Sequence, residues 1–98
     1  MEEQNHILPQ ETSNLTVMLV DDEDALLASA RRMLHKQCIL KTYNNAAAAL
    51  DFLRQSPGQI DVVVSDLMMP HMDGVEFLTE AKSVSPATPR VLLSGSLS

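Results

Sequence analysis

Four short apolar runs, each closed by a polar or acidic break, constrain this chain more than any other feature of its 98 residues. Leu15 to Val20, Ile39 to Tyr43, Ile60 to Ser65 and Arg90 to Ser94 are rich in β-branched or aliphatic residues and too short to be helices. Helical patterns lie between them. Leu26, Leu27, Ala30, Met33 and Leu34 recur at helical spacing, which predicts a helix over 23–37. Ala46 to Gln55 predicts a second helix, with Leu50 and Leu53 on one face and Ser56-Pro57-Gly58 as its stop. A third is expected over 73–84, with Val75, Leu78, Ala81 and Val84 inward. Strands alternating with helices give an α/β fold with a parallel sheet. The length allows one such domain.

The texture of each run orders the sheet. Runs that are apolar at every position suit burial on both faces, so the first, third and fourth read as central strands. The second carries Lys41 between apolar residues and suits an edge. The expected order is 2-1-3-4. Right-handed crossovers then put the first helix on one face and the other two on the opposite face. One helix cannot cover a face of four strands, and nothing follows the fourth strand to cover it. The sheet reads as unfinished. Residues 1–14, mostly polar and interrupted by Pro9, read as a disordered tail, which leaves 15–98 as the domain.

Composition narrows the function. Thirteen acids against seven bases give a net charge of -6, which argues against binding nucleic acid or an anionic membrane. Cys38 is the single cysteine, so an intramolecular disulfide and a cysteine metal cluster are excluded, and a reduced, cytoplasmic setting is expected. No apolar run approaches the roughly 18 residues of a membrane span. The polar, acidic start is unlike a secretion signal.

The acids at the strand ends carry the chemistry. In an open doubly wound sheet, ligands gather at the carboxyl ends of strands where the order reverses, here between strands 1 and 3. Asp21 and Asp22 end strand 1, and Asp66 ends strand 3, so three carboxylates should meet in one crevice. Two unit charges about 4 Å apart repel by roughly 4 kcal/mol at an effective dielectric near 20. A hard divalent cation such as Mg²⁺ relieves that, and a carboxylate beside it can act as a nucleophile toward phosphorus. Glu23, Asp24 and Asp73 have a plainer reading as helix-capping acids. Ser94 falls on the same rim as the acids. His71 reads as an exposed loop histidine.

Leu19-Val20-Asp21-Asp22-Glu23, Ser65-Asp66-Leu67-Met68-Met69-Pro70-His71-Met72-Asp73-Gly74 and Val91-Leu92-Leu93-Ser94-Gly95 together resemble the receiver domain of two-component response regulators. The separations fit as well, with 44 residues from Asp22 to Asp66 and 28 from Asp66 to Ser94. The resemblance spans residues 15–98 and implies a flavodoxin-like fold of order 2-1-3-4-5. It implies that Asp66 accepts a phosphoryl group from a sensor histidine kinase or a phosphotransfer protein, so the domain is a phosphoacceptor rather than an enzyme. By the same resemblance Asp22 and Asp66 bind Mg²⁺ (or Mn²⁺) directly, Asp21 binds it through water, and the backbone carbonyl of Met68 is a further ligand. Ser94 becomes the switch hydroxyl, and the Gly95 backbone N–H binds the phosphoryl group. The apolar side chain of Met68 and Ser96 fall where the family tunes water's access to that group.

One part of the pattern is missing. The family carries a lysine at the end of a fifth strand, whereas Lys36, Lys41 and Lys82 all precede Ser94. The fifth strand and last helices are likewise absent from the sequence, so the chain reads as a receiver truncated after its fourth strand. Bare sheet and an open strand edge predict a homodimer, with segment exchange as one route. They also support an alternative function, a phosphorylation-independent interaction module on the same scaffold. An aspartate-nucleophile phosphatase is disfavoured because Met68 stands where a second acid is expected. An EF-hand is excluded because Asp66 to Gly74 lacks alternating Asp and Asn ligands.

Overall fold

A computed structural model of the chain describes residues 15–69 and 72–93. The expected disordered tail over 1–14, His71, Ser94, Gly95 and Ser96 lie outside the described residues. In chain order the elements are β1 (Thr16–Val20), α1 (Asp24–Leu34), β2 (Ile39–Tyr43), α2 (Ala46–Gln55), β3 (Val62–Asp66), α3 (Gly74–Val84) and β4 (Arg90–Leu93). The strands form one parallel sheet of order β2-β1-β3-β4. The doubly wound α/β fold expected from the sequence is therefore present, with four strands and three helices among the described residues.

The core lies on the α2 and α3 face. Met18, Val20 and Val63 point into it from the sheet, and Ala49, Leu50, Leu53, Phe77 and Ala81 meet them from the two helices. Period-two alternation sends the intervening residues to the other face, where Leu19 and Leu27 are buried. Asn45 caps α2 by accepting the Ala48 N–H through its side chain at 3.1 Å. Asp73 caps α3 in a reciprocal box: its carboxylate accepts the Glu76 N–H at 2.8 Å, and the Glu76 carboxylate accepts the Asp73 N–H at 3.3 Å.

Four details correct the sequence reading. Helix α1 ends at Leu34 rather than 37, because Gln37 and Cys38 both return their N–H groups to the Leu34 carbonyl, turning the chain into β2. Of its periodic apolar residues only Leu27 is buried, and Met33 is 74 % exposed. The third strand begins at Val62 rather than Ile60, because Asp61 is spent on a clamp to β1. Its carboxylate accepts the Thr16 N–H at 2.7 Å, and its own N–H donates to the Thr16 carbonyl at 2.8 Å. Finally, Val75 is 54 % exposed, and Gly74, Phe77 and Ala81 form the buried stripe of α3. With Asp73 as cap, the i, i+3, i+7 row that faces the sheet begins at Gly74.

β4 has the composition of a central strand and the position of an edge. Val91, Leu92 and Leu93 are 40–44 % exposed, and one edge of the strand has no partner strand among the described residues.

Candidate functional site

The acidic crevice follows from the register. Val20 pairs with both Tyr43 and Ser65, so β1 and β3 end level with each other. Asp21 follows β1 directly, and Asp66 is the last residue of β3. One carboxylate oxygen from each of Asp21, Asp22 and Asp66 lies within 4.8 Å of the others. Asp21 is 4 % exposed, Asp66 half-buried and Asp22 exposed.

The three differ in how they are held. The Asp21 carboxylate accepts the Glu23 N–H at 2.8 Å, and its backbone N–H donates to the Tyr43 carbonyl at 3.0 Å. Burial pushes its carboxyl above the ordinary value of 3.8, the Glu23 N–H opposes that, and the charges of Asp66, Asp22 and Glu23 add to the rise. Asp66 is anchored through its backbone instead. The fully buried Ser65 hydroxyl donates to the Asp66 carbonyl at 3.0 Å, and the Leu67 N–H donates to the Leu93 carbonyl at 2.9 Å. Asp22 is the exposed member, on the open side of the crevice.

The donor set fits a hard divalent cation. All three groups are oxygen donors, which suits Mg²⁺. Two oxygens bound directly to one Mg²⁺ at about 2.1 Å stand no more than about 4.2 Å apart. The three oxygens lie within 4.8 Å of one another, a separation at which carboxylates can share one ion directly or through water.

The capping acids have separate places. Asp73 is the N-cap of α3, and Glu23 occupies the N-cap position of α1 without a side-chain cap hydrogen bond. The Asp24 carboxylate accepts from Asn44 Nδ2 at 3.0 Å. Met68, in the loop after β3, is 68 % exposed. The candidate ligands and hydroxyl at Ser94 and Gly95 follow β4 and lie outside the described residues. Among the lysines, Lys41 sits over the Phe52 ring at 5.1 Å, on the edge strand rather than in the crevice. Ser65 and Gly74 are the site neighbours that the sequence reading did not single out. Ser65 looks like an ordinary strand residue, and Gly74 like an ordinary turn residue after a cap.

The response regulator receiver domain family matches residues 17–98. The chain is 36 % identical over 87 residues to the sensor kinase CckA of Brucella abortus, covering 86 % of this chain and 9 % of that protein. It is 34 % identical over 95 residues to the two-component response regulator ARR10 of Arabidopsis thaliana, covering 96 % of this chain and 17 % of that one. The chain thus spans under a fifth of these relatives. Among solved structures it resembles a response regulator receiver domain protein from Clostridium thermocellum, with a TM-score of 0.78 at 25 % identity over 86 % of this chain and 69 % of that one. A receiver domain from the hybrid histidine kinase CckA gives a TM-score of 0.72 at 25 % identity, over 82 % of this chain and 84 % of that one. Family match, parallel order and an acidic crevice agree: this chain belongs to the response regulator receiver domain family.

Proposed function

We propose that the chain is a phosphoacceptor, with Asp66 receiving a phosphoryl group from a phosphohistidine on a sensor kinase or phosphotransfer protein. The observation that carries this reading is the convergence of Asp21, Asp22 and Asp66 at the level ends of β1 and β3. An Asp66 carboxylate oxygen attacks phosphorus, the P–N bond breaks, and the imidazole leaves with the bonding electron pair and takes up one proton from solvent. The products are an acyl phosphate on Asp66 and a neutral histidine on the donor. Asp22, Asp66 and the Met68 carbonyl would hold Mg²⁺ directly and Asp21 through water, and the ion would offset charge on the transferring oxygens. Ser94 would turn its hydroxyl toward the new phosphate, and the Gly95 N–H would bind it. The domain consumes no external substrate in cycles, so it works as a switch rather than as an enzyme.

The relatives support the choice of partner. One similar protein is a sensor kinase and another a two-component response regulator, so this segment recurs on both sides of a kinase-to-regulator exchange. The test is intact mass after incubation with acetyl phosphate and Mg²⁺. The chain should gain one phosphoryl group and Asp66→Asn should gain none. Undiminished labelling of the variant would place the acceptor elsewhere.

A second reading rests on β4. Its exposed aliphatics and open edge favour an interaction module that needs no phosphate, with a second copy as partner. Antiparallel β4 pairing across a two-fold axis would set the two acidic crevices at opposite ends of the joint sheet. Charge repulsion between copies of net charge -6 would then be least. Failure of acetyl phosphate labelling in folded protein, together with concentration-dependent dimerisation, would favour this reading over the first.

A further inference from the structure

We infer that Gly74 is a positioning residue for Asp66, and that its missing side chain, rather than its turn-forming freedom, is what the site requires. The inference rests on the phosphoacceptor reading for its chemistry and on packing for its geometry. Gly74 is the first residue of α3, buried against the end of β3. A Cβ placed on it would stand 3.0 Å from the Asp66 carbonyl carbon, closer still to the carbonyl oxygen, and 2.6 Å from Leu92 Cδ1. Real Cβ atoms do not approach other heavy atoms below 3.0 Å. Leu92 ends in a flexible methyl and can give way. The Asp66 carbonyl is backbone, and it cannot give way without moving the residue that carries it.

The Ser65 hydroxyl donates to that carbonyl at 3.0 Å. The next residue is tied twice, its N–H to the Leu93 carbonyl at 2.9 Å and its carbonyl to the Gly74 N–H at 2.7 Å. Backbone crowding at Gly74 therefore has two outlets. The start of α3 can lift off β3, or Asp66 can rotate at the end of its strand. The Gly74 N–H bond to the Leu67 carbonyl and the buried Phe77, one turn further on, hold α3 against the sheet. The displacement falls on Asp66, and its carboxylate leaves the line set by Asp21 and Asp22. Left-handed backbone plays no part, because Gly58 is the glycine with positive φ among the described residues, at 86°. By itself, alanine at the first turn of a helix would be favourable.

The test compares Gly74→Ala, Leu92→Ala and the double variant with wild type in the 98-residue chain. Three readouts are used: the rate of acetyl phosphate labelling, Mg²⁺ affinity by titration calorimetry, and amide NMR shifts. Gly74→Ala should label at least about tenfold more slowly, since misplacing a reacting group by about an ångström costs up to a hundredfold. It should also bind Mg²⁺ more weakly and shift the Asp66 and Leu67 amide resonances. Leu92→Ala alone should label at close to the wild-type rate. The double variant, relieved of the Leu92 contact and so protected against misfolding, should stay slow. Restoration of wild-type labelling in the double variant would overturn the inference, because Gly74 would then serve packing against Leu92 alone. Amide shifts in Gly74→Ala that stay within α3 would overturn it too. A wild-type chain that takes up no phosphoryl group would sink the phosphoacceptor reading instead, and the amide shifts would still decide the role of Gly74.

Discussion

At the scale of single residues, the site is a set of like charges that the fold forces together. Asp21 bears most of the cost because it is the buried member. Its raised carboxyl pKa fixes the sign of its effect on stability. Below the ordinary value of 3.8 both folded and unfolded chains hold the proton, and there is no penalty. As pH climbs past that value the unfolded chain releases its proton while the folded one keeps it, so stability falls until the folded group also ionises. Asp21→Asn, which keeps an oxygen for the Glu23 N–H, should therefore melt above wild type at pH 7 in metal-free buffer. It should melt at about the same temperature as wild type at pH 3, and Mg²⁺ should narrow the gap at pH 7 by stabilising wild type. Equal metal-free melting at pH 7 would contradict the assignment. Asp22→Ala should weaken Mg²⁺ binding by calorimetry more than Ser94→Ala does, and the reverse order would undo Asp22 as a direct ligand. The three acids were legible in the sequence because each closes an apolar run. Ser65 and Gly74 were not, because their roles depend on a hydroxyl–carbonyl contact and on a missing Cβ, which leave no mark on hydropathy.

At the scale of elements, texture and handedness were enough to order the strands. Lys41 marked β2 as an edge, and the right-handed crossover rule put α1 alone on its face. Phase was harder to read. Leu78, Ala81 and Val84 face the core as expected, but Val75 does not, and the cap at Asp73 starts the inward row at Gly74 and Phe77 instead. The third strand was placed early for a similar reason, since apolar Ile60 is buried beneath the sheet while Asp61 clamps β1. Two substitutions weigh these elements. Asp73→Ala removes one side of the capping box and should cost about 1 kcal/mol in denaturant unfolding. Phe77→Ala empties a fully buried site between α3 and the sheet and should cost about 3–5 kcal/mol. A smaller loss for Phe77→Ala than for Asp73→Ala would mean that α3 is held by its cap rather than by its core face.

At the scale of the whole molecule, one face of the sheet is closed by α2 and α3, and the other is closed mainly over its β2 side by α1. Light scattering across concentration should find a dimer, and replacing Val91, whose side chain faces away from α3, with lysine should return it to a monomer by putting charge on the exposed edge strand. A wild-type monomer at every concentration would count against pairing through β4. The relatives run well beyond this chain, and the solved receiver from Clostridium thermocellum is matched over 69 % of its length. Sequence alone could mark Val91 to Leu93 as a run that wants cover, but cover is a property of neighbours, and the run does not encode them. The measurement that bears most directly on the central claim is borohydride trapping after acetyl phosphate treatment, followed by peptide mass mapping. Reduction converts an aspartyl phosphate to homoserine, so the account predicts homoserine at position 66, dependent on Mg²⁺ and absent without phosphate donor. Homoserine at another aspartate, or none in folded protein, would contradict it.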